Sequence, residues 1–309
     1  MEMVTETVSC FLCGADETGL RATIDGWRVV RCRRCGLAYL NPRPAEAELE
    51  ALYSEAYFCS EQCRAGGVDS ERGIAERMED IVAIERFKRN GVLLDIGCAT
   101  GHLLIAARRR GWEVTGIEFS EWAARTAKEQ FGLEVLVGAV ESLTLPQKRF
   151  DVITAYHVLE HLSDPLKTLE HASRWMKDDG LLVIRLPNLR SFDAWFYQDQ
   201  WEGWRVPFHF YHFSPKTLKK LLRMAGFRVR LFEFPLSPLF VNAVQRVIQP
   251  WKKAPLGPAP PLEHGNLGWE ATAKRLFRTS VGRLFKGRDM VCYARKRRRF
   301  TDEKDGQGR

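Results

Sequence analysis

The sequence predicts an α/β protein: a doubly wound sheet with helices on both faces, preceded by a small metal-stapled module. Three observations carry this. From about residue 75, short apolar runs alternate with amphipathic stretches, and strand–helix alternation of this kind builds a parallel sheet covered on both faces. The run Gly91-Val92-Leu93-Leu94 leads into Asp95-Ile96-Gly97-Cys98-Ala99-Thr100-Gly101, which reads as a strand, a tight glycine turn and the start of a helix. Two Cys-x-x-Cys pairs stand ahead of this region.

Those pairs are Cys10/Cys13 and Cys32/Cys35, separated by 18 residues. Four thiolates at this spacing match a tetrahedral Zn²⁺ site, and the metal supplies folding energy to a segment too small for its own core. Gly14 and Gly36 follow the second cysteine of each pair, and Gly26–Arg31 alternates like a strand. Residues 1–45 are therefore expected to form a zinc ribbon. With all four ligands from cysteine the site is closed, which makes the Zn²⁺ structural. Residues 46–90 read as a helical linker, and the Cys59/Cys63 pair within it reads as incidental.

The sheet elements follow in order. Residues 92–96 form the first strand, and residues 102–110 a helix stopped by Gly111. Residues 113–119 form the second strand; Ser120 caps a helix over 121–131, closed by Gly132. Residues 133–137 and 150–156 supply strands three and four. Asp164-Pro165 opens a helix with Leu166, Leu169, Ala172 and Met176 on one face. Residues 181–186 form the fifth strand, and Ser214-Pro215 opens a helix that Gly226 closes. Residues 227–234 and 290–295 complete the sheet.

The chain has 309 residues, 45% of them hydrophobic, and a net charge of +8. No apolar run approaches bilayer length, and the first residues lack a basic head and an apolar stretch. A cytoplasmic protein with reduced thiols is expected. Residues 236–288 form an insertion. It opens with an amphipathic stretch, becomes proline-rich, and ends with Leu276, Phe277, Leu284 and Phe285 among lysines and arginines. It suits a lid or packing role, or contact with the inner face of a membrane. Residues 298–309 read as a basic, disordered tail.

The spacing Gly97-x-x-x-Gly101 is not the nicotinamide fingerprint. Residues 94–101, Gly116-Ile117-Glu118-Phe119-Ser120 and Phe150-Asp151-Val152-Ile153 through His157-Val158-Leu159-Glu160-His161-Leu162 occur in fixed order. Leu186-Pro187-Asn188 and His212-Phe213-Ser214 follow them. Together they resemble the class I S-adenosylmethionine-dependent methyltransferases over roughly residues 75–235. The resemblance implies a Rossmann-like sheet, mostly parallel with an antiparallel last strand, built from residues 91–235 and 289–297. It implies that Asp95, Gly97, Cys98 and Gly101 line the methionine and ribose portion of the cofactor. Glu118 would hold the ribose hydroxyls, Phe119 the adenine face, Ala139 and Val140 the adenine edge, and His157 the methionine part. Many relatives carry an acidic residue where Ala139 stands, so backbone groups or Glu141 would replace it. Cys98 reads as a packing residue rather than a nucleophile.

His157-Val158-Leu159-Glu160-His161 also fits a zinc-protease pattern, but it follows a strand instead of lying inside a long helix. The segment is similar to ubiquinone-type O-methyltransferases, which implies Mg²⁺ at Glu160 and His161 as one reading and a bracing role as the other. Residues 188–212 are rich in aromatics and suit either an acceptor pocket or core. His157, His209 and His212 are the candidate bases. The expected activity is methyl transfer from S-adenosylmethionine to a small molecule: a sugar, a quinone-like compound or a lipid-linked intermediate. A nucleic-acid-binding or RNA-modifying enzyme and a non-catalytic cofactor-binding module are the alternatives. The basic residues form no evident stripe beside the aromatics, which weighs against nucleic acid. The sequence leaves the oligomeric state open.

Overall fold

The computed structural model describes residues 3–53, 57, 70–235 and 287–297. The Cys59/Cys63 pair, nearly all of the 236–288 insertion and the 298–309 tail lie outside the described residues.

The N-terminal module is built on short antiparallel strands. β1 (Thr5–Glu6) pairs with β5 (Arg43–Pro44), while β2 (Thr18–Ile24), β3 (Trp27–Cys32) and β4 (Ala38–Leu40) form a meander. A short helix, α1 (Leu49–Leu52), follows, and α2 (Ser70–Glu85) leads into the main domain. There the elements alternate: β6 (Val92–Ile96), α3 (His102–Arg109), β7 (Glu113–Glu118), α4 (Glu121–Phe131), β8 (Val135–Val137), β9 (Phe150–Tyr156), α5 (Pro165–Trp175) and β10 (Met176–Pro187). Then come α6 (Phe192–Tyr197), β11 (Tyr211–His212), α7 (Pro215–Met224), β12 (Phe227–Glu233) and β13 (Asp289–Lys296).

The seven-stranded sheet has the order β12-β13-β10-β9-β6-β7-β8. Its inner pairs are parallel, and β13 runs antiparallel to both neighbours. The central strands are buried on both faces, as in β9, and read as continuous apolar runs for that reason. The helix starts follow the expected chemistry. Ser120 accepts from the amide of Ala123, Asp164 from those of Leu166 and Lys167, and Ser214 and Thr217 form a reciprocal capping box.

Three features differ from the sequence reading. Met176 opens β10 rather than closing α5, and β10 is twelve residues long, with its pairing to β9 interrupted between Met176 and Leu181. β8 starts at Val135, two residues later than expected. The third difference is the most consequential: β11, from far along the chain, pairs with β4 and completes a four-stranded sheet with the cysteine module. Leu37, Tyr39 and Leu40 from the module share one continuous core with Trp201, Trp204, Phe210 and Leu186 from the main domain. Half of the aromatic segment is thus core at this joint, while Trp195 and Phe196 on α6 are exposed.

Candidate active site

The four cysteines converge as their spacing predicts. Sγ of Cys10 lies 3.5 Å from that of Cys35, Sγ of Cys13 lies 3.5 Å from that of Cys32, and all four atoms fall within 4.8 Å of one another. Tetrahedral Zn–S bonds of about 2.3 Å place sulfurs ~3.8 Å apart, so this donor set fits such an ion. Two matching turns present the pairs: the amide of Gly14 donates to the carbonyl of Cys10 at 2.7 Å, and that of Gly36 to Cys32 at 3.0 Å.

The remaining predicted residues gather at the carboxyl ends of the parallel strands. In the turn after β6, Gly97, Ala99 and Gly101 have φ of +69°, +47° and +87°. The amides of Gly97 and Cys98 both donate to the Ile117 carbonyl, at 2.8 and 3.0 Å, tying the turn to β7. A Cβ on Gly97 would meet Cγ2 of Val158 at 2.5 Å, and one on Gly101 would strike Cδ1 of Leu133. The glycines are expected for the approach of a ligand; the protein's own side chains already require them. Cys98 packs its sulfur over Gly116, and burial pushes its thiol well up, as befits a packing residue.

Glu118 ends β7 and is 6% exposed. Its Oε2 accepts from the amide of Ala99 at 2.8 Å, and its Oε1 from that of Ser120 at 2.9 Å. A carboxylate has about four acceptor positions, so roughly half remain for a ligand. Burial raises its pKa, and the backbone amides oppose that. Asp95, one strand over, is held by a 2.6 Å hydrogen bond from Thr154 Oγ1, and burial pushes its pKa up to about 7. Phe119, 43% exposed, and Val137 present apolar surface at neighbouring strand ends. Ala139 opens a short turn in which its carbonyl accepts from Ser142, and Val140 is buried. Glu141 accepts from the hydroxyl of Thr168 on α5, which commits it to a bond within the protein.

The three histidines lie near one another but in different settings, with the rings of His209 and His212 6.4 Å apart. His157, 38% exposed and at φ +56°, follows β9; Nδ1 lies 3.3 Å from Glu160 and Nε2 lies 3.6 Å from Asp289. Burial disfavours its charged form, but the two carboxylates outweigh burial and raise its pKa to about 9. Because β13 is antiparallel, its first residue, Asp289, reaches the same edge of the sheet, where Arg185 Nε donates to it at 3.0 Å. Sequence reasoning missed Asp289 and Arg185, although an arginine inside the apolar run of residues 181–186 was a signal.

His209 donates Nδ1–H to the carbonyl of Gly203 at 2.9 Å, since a carbonyl can only accept. Its Nε2 therefore carries a lone pair and finds no partner among the described residues, as does Oε2 of Glu160. Glu160, His161 and His209 each offer one donor atom within 4.8 Å of the others, and Tyr53 Oη lies 2.8 Å from His161 Nδ1. This donor set gives the Mg²⁺ reading no support: Mg²⁺ prefers oxygen ligands, and two imidazoles with one carboxylate are a poor match. His212 lies in β11, inside the sheet of the cysteine module and edge-on to Trp204.

These histidines contribute to the pH response. Burial pushes His209 down to about 4 and His212 down to about 3, while the unfolded chain titrates near 6.5. Between about pH 6.5 and 4 the unfolded state binds more protons, so stability falls as pH falls; at pH 5 each histidine removes roughly 2 kcal/mol. His157 acts oppositely: its contribution is complete below about pH 6.5 and is lost as pH rises through about 9. Asp95 opposes His209 and His212: with its carboxyl pushed up to about 7, the folded state binds the extra proton between about pH 4 and 7. Thermal unfolding from pH 5 to 9 is therefore compared with that of H209Q/H212Q, which should lose less Tm than the parent between pH 7 and 5. An equal loss would refute the neutral, buried state of His209 and His212.

Comparison with known proteins agrees with this geometry. A family model described as a methyltransferase domain matches residues 70–231. The chain is 34% identical over 110 residues to a ubiquinone biosynthesis O-methyltransferase of Coxiella burnetii, covering 34% of this chain and 47% of the relative. The corresponding protein of Histophilus somni is 35% identical over 114 residues, covering 33% of this chain and 47% of its own. The chain thus spans about half the length of the curated relatives it matches. One solved structure is the complex between the Haloferax volcanii Trm112 methyltransferase activator and a candidate methyltransferase. It superposes with a TM-score of 0.52 at 16% identity, covering 81% of this chain and 98% of that one, a likeness of fold. By the family model over residues 70–231, this chain belongs to the methyltransferase domain family.

Proposed function

We propose that the protein transfers a methyl group from S-adenosylmethionine to a hydroxyl of a small molecule, and that Cys10, Cys13, Cys32 and Cys35 hold a structural Zn²⁺. One observation carries the cofactor assignment: Glu118 stands at the carboxyl end of β7, tied to the glycine turn through Ala99 and with acceptor positions to spare. When bound, S-adenosylmethionine supplies an electrophilic methyl group on a positively charged sulfur. Glu118 would accept from both ribose hydroxyls, the turn of residues 97–101 would face the ribose and methionine, and Phe119 would cover one adenine face. Ala139 and Val140 offer the adenine edge only backbone groups, because Glu141 is bound to Thr168. Asp95 shapes the floor beside Thr154.

His157 is charged at neutral pH and engaged by two carboxylates, so its role is to position and to stabilise negative charge rather than to take a proton. His209 and His212 both bury an Nε2 without a partner among the described residues. We assign proton acceptance to His209, because it stands beside Glu160 and His161 whereas His212 is paired into β11. His212 belongs to the joint with the cysteine module. The names of the matched relatives support a hydroxyl acceptor. Among the described residues no helix is long and apolar enough to cross a membrane.

The test has two stages. Isothermal titration of the full chain with S-adenosylmethionine should show binding at one site. Methyl-labelled cofactor offered with phenolic acceptors should then yield labelled ether. Absence of binding heat discards the cofactor assignment; binding without transfer to any hydroxyl, sugar or lipid acceptor favours a non-catalytic module.

A further inference from the structure

A basic groove lies between the cysteine module and the main domain. The groove, of about 950 Å³, is lined by Arg21, Arg31, Arg33 and Arg34 on one wall and by Arg190 and Lys216 on the other. Among the described residues no carboxylate lines it. Some exposed arginines elsewhere are matched with acids, as Arg109 is with Glu71, Arg110 with Glu85 and Arg149 with Glu113. Others, such as Arg89, Arg125 and Arg174, stand singly on the surface; the groove differs in gathering six cations in one place. Among the described residues, none of the six groove cations has an acidic partner within ion-pair distance. Four thiolates around Zn²⁺ carry a net charge of −2, and Cys32 and Cys35 border the groove. Two of the six positive charges are offset in this way and four remain in excess. The first turn of α7 enters the same wall at Lys216 and Thr217, and its dipole adds to the same sign.

Like charges gathered without counter-charges repel one another, and an anion relieves that cost. Guanidinium groups pair with phosphate oxygens in a forked geometry. The volume is that of a small-molecule site. Among the described residues no aromatic side chain lines the groove, and the stacking platform on which single-stranded nucleic acid is held is not among them. Arg190 follows the end of β10 at Pro187 by three residues, which puts this wall at the carboxyl edge of the sheet, where the glycine turn and Glu118 also lie.

We infer that this groove binds the phosphate or diphosphate group of the methyl acceptor, so that the substrate is a phosphorylated small molecule anchored between the cysteine module and the main domain. The inference rests on the methyltransferase reading for the word acceptor; the anion site itself stands on the groove.

The test is calorimetric titration of the zinc-loaded full chain at 50 mM salt with four probes: inorganic pyrophosphate, uridine diphosphate, farnesyl diphosphate and a 20-mer of polyuridine. Pyrophosphate should bind, and R190A/K216A, which leaves the cysteine module untouched, should weaken it by about tenfold or more. Affinity for S-adenosylmethionine and zinc content should not change. Tighter binding of uridine diphosphate than farnesyl diphosphate identifies a nucleotide carrier, and the reverse a lipid carrier. The inference is overturned if none of the three diphosphates binds, if R190A/K216A binds pyrophosphate as the parent does, or if only the RNA binds. Retained S-adenosylmethionine binding in those cases leaves the methyltransferase reading standing.

Discussion

Replacing Glu118 with alanine is expected to weaken S-adenosylmethionine binding by at least about a hundredfold. Two hydrogen bonds from ribose hydroxyls to a buried carboxylate are lost, each of order 1.5–3 kcal/mol because the acceptor is charged. The turn is also released, because Oε2 of Glu118 holds the amide of Ala99 and Oε1 that of Ser120. Both amides are left without their acceptor, at about 1–3 kcal/mol each, so the alanine variant loses stability as well. Glu118→Gln separates the two effects. Its single amide oxygen can keep one backbone contact, which should restore much of the Tm and little of the affinity. Calorimetric titration beside thermal melts measures both quantities. Parental affinity in a folded Glu118→Ala protein would sink the cofactor site.

Replacing Cys35 with serine is expected to cost the protein its metal and to reach well beyond the N-terminal module. Small four-cysteine modules fold on their metal, with apparent binding energies of order 10 kcal/mol or more. Here the module is not a free appendage. β4 pairs with β11, the ring of Phe11 lies 4.4 Å from that of Tyr211, and Arg43 donates to the Tyr211 hydroxyl at 2.8 Å. The amide of Phe210 donates in turn to the carbonyl of Glu160 at 2.7 Å. Loosening the module exposes Leu40, Trp204 and Phe210 and frees the loop that carries His209. A loss of several kcal/mol, a Tm lower by roughly 10 °C and a loss of methyl transfer are expected together. Elemental analysis should find one zinc per chain in the parent and in Cys98→Ser, and none in Cys35→Ser. A metal-free parent, or a Cys35→Ser melt identical to the parent's, would refute the structural role.

The parts legible in the sequence are those governed by local chemistry. Ser120, Asp164 and Ser214 cap helices where their spacing to the following apolar stripe says they should. The apolar runs at residues 92–96 and 150–156 are interior strands because parallel strands bury both faces. The cysteine spacing brings four sulfurs together. What local chemistry does not encode is which distant segments meet. Nothing in Tyr211-His212 alone announces a strand, since two residues pair only because β4 presents an edge to them. Met176 continues the apolar stripe of α5, yet it starts β10 because pairing with Phe150 prevails over helical periodicity.

The order of strands, caps and glycine turns along the chain was enough by itself to determine an α/β sheet with a carboxylate beside a glycine loop, because backbone geometry and burial act over a few residues. The tertiary structure alone decided the chemistry of the histidines. His157 is charged because antiparallel β13 delivers Asp289 to it from more than a hundred residues away. His212 is neutral because it is shut inside the sheet that joins the two modules. A proton's affinity depends on the field and solvent around a group, and those are set by whatever the fold packs there.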